Sequence, residues 1–93
     1  MDPSRTYRLA PGFSWRREPF GGILFHFEGR KPDPRLTFVE SAFLIDLLEL
    51  TEQAPLGQIM TEAADWFQLD EGQCGAMKEF FNTLIEREAL VPQ

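Results

Sequence analysis

The residues with types suited to chemistry are few. His26 is the only histidine and Cys74 the only cysteine of the 93-residue chain. A histidine can act as a general base, and a thiol in the first turn of a helix gains thiolate character from the helix dipole. Neither has a companion here. His26 stands between Phe25 and Phe27 in a strand-like run, with no second base nearby. Cys74 has Glu71 close by in sequence, and that charge opposes a thiolate. They read as a sheet histidine and a small packed helix residue. One Cys and one His cannot close a zinc site. The acidic pairs Glu49/Glu52, Glu62/Asp65 and Glu86/Glu88 are scattered and read as solvated helix faces. The run Pro19-Phe20-Gly21-Gly22 lacks the spacing of a phosphate-binding loop and is not followed by a helix start. No catalytic set, cofactor or metal is therefore expected, and the chain does not read as an enzyme.

If the chain does not carry chemistry, its elements must serve recognition. Hydrophobic residues make up 43% of the chain, nine of them Phe, enough for one core in one domain. "TYRL" reads as a short strand ended by Pro11-Gly12, after a loose tail over residues 1–6. "FSWRRE" and "ILFHFE" read as two main strands joined by a hairpin at "PFGG". "GRKPDP" is a loop, and "RLTFV", Arg35 to Val39, is a third strand. Alternation puts Leu36 and Phe38 on one face of it and Arg35, Thr37 and Val39 on the other.

Three helices follow. The first runs from Ser41, its N-cap, to Leu50, with a broad apolar stripe of Phe43, Leu44, Leu47 and Leu48. The second begins near Pro55 and carries Leu56, Ile59, Met60, Ala63 and Phe67 at helical spacing. The third begins at Asp70, where "DEGQ" has the form of a capping box, and runs to about Ala89 with the apolar face Met77, Phe80, Phe81, Leu84 and Ile85. The predicted fold is α+β, a three-stranded antiparallel sheet followed by three helices, winged helix-turn-helix-like, with strands over 7–39 and helices over 41–91.

Charge then bears on the partners. The net charge is −6, unevenly placed. Residues 1–40 carry seven basic side chains against five acidic; residues 41–93 carry two against ten. A winged helix that binds DNA normally lays the second helix of its helix-turn-helix among phosphates. Here that helix holds Asp70, Glu71, Glu79, Glu86 and Glu88 against Lys78 and Arg87, so a DNA-binding transcription regulator is the runner-up and no nucleic-acid partner is expected. No apolar run approaches the ~20 residues of a membrane span, and no signal sequence opens the chain. A reducing cytoplasm is the expected setting, with no membrane partner.

Three stretches carry a resemblance. "YRLAPGFSWRREPFGGILFHF", "FVESAFLIDLLE" and "LIEREALV" together resemble the mycofactocin precursor-peptide chaperones, within the class similar to the pyrroloquinoline quinone biosynthesis chaperone. The likeness runs from about Tyr7 to Val91, and "REPFGGILFHF" is its most specific piece. It implies a non-catalytic adaptor that binds the leader region of a ribosomally made precursor peptide and presents it to a radical S-adenosylmethionine enzyme. It also implies that the leader adds as a strand to the edge of the third strand, beside the third helix.

The residues agree with that implication on physical grounds. An edge strand exposes unpaired N–H and C=O groups that a peptide strand can satisfy. Arg35, Leu36, Thr37, Phe38 and Val39 are the expected docking edge, with Met77, Phe81, Leu84 and Ile85 as the apolar wall beside it. The same open edge also offers self-association.

Overall fold

The structure, a computed structural model, describes residues 1–28 and 33–93. The loop reading of residues 29–32 lies outside them. Among the described residues, five strands and three helices follow one another: β1 (Tyr7–Leu9), β2 (Phe13–Glu18), β3 (Gly21–His26), β4 (Arg35–Val39), α1 (Ala42–Leu50), α2 (Leu56–Trp66), α3 (Glu71–Glu86) and β5 (Leu90–Pro92). Strands β2, β3 and β4 form an antiparallel sheet in that order, and three helices follow it, as the sequence predicts.

The expected hairpin joins β2 to β3 through Pro19 and Phe20, with Glu18 opposite Gly21. Gly21 has φ +145°, which L side chains rarely adopt, and a Cβ there would collide with the backbone of Val39 and Ser41. Gly22 serves a different need. A Cβ on it would meet Cδ1 of Ile45 at 2.6 Å, so its bareness lets α1 press directly onto β3. The core forms there, from Leu24 and Val39 on the sheet and from Ile45, Leu56, Phe81 and Leu84 on the helices.

Local signals set the helix starts. Ser41 accepts from the Leu44 N–H at 3.2 Å. Asp70 and Gln73 form the reciprocal capping box, at 2.8 Å and 2.9 Å. Pro55 stands one position earlier than expected, at the N-cap of α2, and has no side chain to offer. Its neighbours Leu56 and Gly57 donate instead to the carbonyls of Arg5 and Pro3, at 2.9 Å and 2.8 Å. The first residues, expected as a loose tail, thus cap α2, because its first orphan N–H groups need acceptors.

The largest departure from expectation is at the C-terminus. Helix α3 stops at Glu86 and the chain turns into β5, which pairs with β1 in a second, two-stranded sheet. Glu88 adopts a left-handed φ of +58°. The Glu88 N–H donates to Ile85 and the Ala89 N–H to Leu84, the paired bonds of a Schellman ending. Gln68 ends α2 in the same way, with φ +50° and the Leu69 N–H donating to Ala64. The usual signal for such an ending is glycine. With Glu and Gln in those places, the apolar period through "REALV" reads as more helix. Phe67, expected on the buried face of α2, caps its end and is exposed, edge-on to Phe43 with ring centroids 5.0 Å apart.

Candidate functional site

Strand β4 pairs with β3 on one side, in the register Gly22↔Val39, Leu24↔Thr37 and His26↔Arg35. Among the described residues, no strand pairs with its other side. The hydrogen-bonding direction of each residue follows from one bond at the start of the sheet. The Phe27 N–H donates to the Gly12 carbonyl at 2.8 Å, in line with the β2–β3 register. Backbone direction alternates along antiparallel strands. Ile23 and Phe25 therefore bond toward β2, and Gly22, Leu24 and His26 toward β4. Their partners Val39, Thr37 and Arg35 bond inward. The backbone groups of Leu36 and Phe38 face the open edge.

The side chains of β4 divide as the alternation predicts. Val39 is buried, and Thr37 turns toward α3. Leu36 and Phe38 turn to the outer face, where they are 48% and 60% exposed and Phe20 lies 6.1 Å from Phe38, ring to ring. Ile23 and Phe25 share that outer face, with the Arg16 guanidinium 5.5 Å from the Phe25 ring. Leu24 is the side chain that β3 sends into the core.

Between β4 and α3 runs a groove of about 360 Å³. Leu24, Leu44, Phe80 and Leu84 line its apolar part, Thr37, Phe38, Val39 and Glu40 its strand side, and Ala76, Glu79, Thr83 and Arg87 its helix side. A second hollow, about 620 Å³, continues past the start of β4 between Phe13, His26, Arg35, Leu36, Thr37 and Arg87. An open strand edge beside an apolar trough is the arrangement that takes an extended peptide, with main-chain bonds for affinity and pockets for alternate side chains.

The helix wall differs from the expected one by about one residue. Of the expected set, Leu84 lines the groove. Phe81 is fully buried in the core and Met77 nearly so, beside a small hollow at the start of α3. Ile85 turns to the opposite side, toward Pro11 and Leu90. Phe80 packs edge-to-face on Phe81, centroids 5.1 Å apart, and faces the groove in its place. The periodicity predicts one wide apolar face and does not divide it. The stripe Ala76, Phe80, Thr83, Arg87, at steps of three and four beside the core stripe, is the signal that could have found the wall.

The reactive residues stay apart. The His26 ring stacks on Phe13, centroids 4.0 Å apart and 10° between planes, with Nδ1 3.6 Å from the Glu28 carboxylate. Cys74 is half-buried at the opposite end of α3, its Sγ 3.9 Å from the Leu69 carbonyl. Among the described residues, no group of three or more His, Cys, Asp or Glu could hold a metal ion, and no helix is long and apolar enough to cross a membrane. Arg17 ties the back of β2 to α1. Its guanidinium donates to the carboxylates of Glu49 and then Asp46, both at 2.8 Å, and these bonds hold it above its usual pKa.

Comparison with known proteins points the same way as this geometry. The chain is 34% identical over 55 residues to the peptide chaperone MftB of Mycobacterium tuberculosis. That alignment covers 59% of this chain and 47% of the relative, so it spans about half of the relative's length. No solved structure matches the chain. The family model of the MftB peptide chaperones matches residues 6–91, nearly the whole chain, from the turn before β1 to the last strand. By that match the chain belongs to the peptide chaperone MftB family.

Proposed function

We propose that this protein is a non-catalytic adaptor of mycofactocin biosynthesis. It binds the leader region of a precursor peptide as an added strand on β4 and presents the peptide to a radical S-adenosylmethionine enzyme. The observation that carries this reading is the open edge of β4 beside the apolar β4–α3 groove. Leu36 and Phe38 offer main-chain donors and acceptors at the edge, while Thr37, Val39, Phe80 and Leu84 receive alternate side chains of the peptide. Each main-chain bond is worth about 0.5–1.5 kcal/mol net, so several in register, with burial of two or three apolar side chains, suffice for micromolar affinity.

Family membership supports the peptide as client.

The test is reconstitution with a purified radical enzyme and precursor peptide. Modification should require this protein, and the double variant His26→Ala, Cys74→Ser, once shown to be folded, should support it as well as the original chain. Full modification without this protein, or its loss with a folded double variant, would overturn the proposal.

A further inference from the structure

The β4–α3 groove is electrically polar along its length. Its two walls run in opposite directions. At the start of α3, Gln73, Ala76 and Met77 share a hollow with Ser41 and Phe43, just beyond the end of β4. At the end of α3, Arg87 shares a hollow with Arg35, Leu36 and Thr37, at the beginning of β4. Glu79 therefore lies toward Glu40, and both line the groove, while Arg87 lies toward Arg35. The groove has an acidic end and a basic end.

Three of the four charges at these ends are available. Arg35 is engaged with Glu28 at 2.9 Å. Among the described residues, no ion pair or side-chain hydrogen bond engages Glu40, Glu79 or Arg87. Glu88 lines the neighbouring hollow together with Arg87. In a chain with net charge −6, Arg87 is thus a local exception at the groove.

The spacing fits a strand. The eight steps from Glu79 to Arg87 rise about 12 Å along the helix. Four residues of extended chain cover about 13 Å. In an antiparallel pair, residues directly opposite share a face. Peptide residues opposite Val39, Thr37 and Arg35 would therefore turn their side chains into the groove, and those opposite Phe38 and Leu36 would join the outer face. The other two pairings in this sheet are antiparallel, and antiparallel pairing is slightly the more stable. A peptide paired in that way enters at the Glu40 end and leaves at the Arg35 end.

We infer that the groove selects peptides by charge order. The bound strand carries a basic side chain beside Glu40 and Glu79, an apolar one two residues on, over Leu24 and Leu84, and an acidic one two residues further, beside Arg87. This rests on β4 being the docking edge, and it adds which peptides that edge prefers and in which direction they lie.

The probes are three end-blocked synthetic heptapeptides: Thr-Lys-Thr-Leu-Thr-Glu-Thr, the same with Lys and Glu exchanged, and one with Gln at both places. Each is titrated at low salt into the isotopically labelled protein, following backbone amide signals. The first should bind about tenfold tighter than the exchanged peptide, since two partly exposed pairs of up to ~1 kcal/mol change from attraction to repulsion. The neutral peptide should fall between them, and salt should erase the difference. Arg87→Glu should remove most of the preference. Because Arg87 ends a helix, Glu79→Lys, on the exposed middle of α3, is the second variant and should do the same. Equal affinities, with shifts at Leu36 and Phe38, would overturn the charge order and leave the docking edge standing. If none of the peptides shifts the β4 amides, the docking edge fails and the charge order with it.

Discussion

Phe81→Ala should destabilise the fold by about 3–5 kcal/mol, while Phe80→Ala should leave a folded protein that holds its peptide poorly. Phe81 is fully buried in the core cluster, so truncation removes a large transfer term and leaves a cavity. For a domain of this size each kcal/mol lowers the melting temperature by about 4–8 °C, so the loss should exceed 12 °C. Phe80 is half-buried and packed edge-on against Phe81. Losing it should lower stability by roughly 1–2 kcal/mol, from the ring contact and the area it covers. Its free face lines the groove, so leader binding should weaken by about tenfold. Thermal melts and peptide titrations on both variants separate the two roles. Normal peptide binding by folded Phe80→Ala would remove this side chain from the docking surface.

The second large effect concerns proline in β4. Proline lacks the N–H and is tolerated in a sheet only where that group faces outward. Thr37→Pro deletes an inward bond to β3 and should lower the melting temperature by several degrees. Leu36→Pro and Phe38→Pro delete edge donors, so the fold should change little. Each should weaken the peptide by roughly 1 kcal/mol or more per lost bond, about fivefold. If position 37 melts like positions 36 and 38, the hydrogen-bonding parity derived from Phe27 and Gly12 is wrong.

The elements that sequence disclosed well are those with strong local chemistry. The hairpin at Pro19–Gly22, the Ser41 cap and the Asp70/Gln73 box each put a rare residue type where backbone geometry demands it. The edge strand was legible because its alternation is clean and two prolines isolate it from β3. The groove wall was less so. Helical period alone cannot say which part of a wide apolar face meets the core, and Phe80 and Phe81 are adjacent and identical in type. That choice is made by the packing of α3 in the core, against α2 and β5, a tertiary fact. The C-terminal strand was hidden because Glu88 takes a left-handed conformation usually marked by glycine. The polarity of the groove was hidden for a related reason. Glu40 is far in sequence from Glu79 and Arg87 and shares a groove with them only once the chain is folded.

The central claim is that a peptide completes this sheet, and amide hydrogen exchange at three neighbouring residues tests it most directly. Without peptide, the Thr37 amide, bonded to β3, should exchange slowly, and the amides of Leu36 and Phe38, facing the open edge, should exchange fast. At saturating leader peptide, Leu36 and Phe38 should become protected while Thr37 changes little, because only the added strand can reach their N–H groups. If the peptide binds and the Leu36 and Phe38 amides still exchange as in the free protein, the peptide docks elsewhere and strand addition on β4 is wrong.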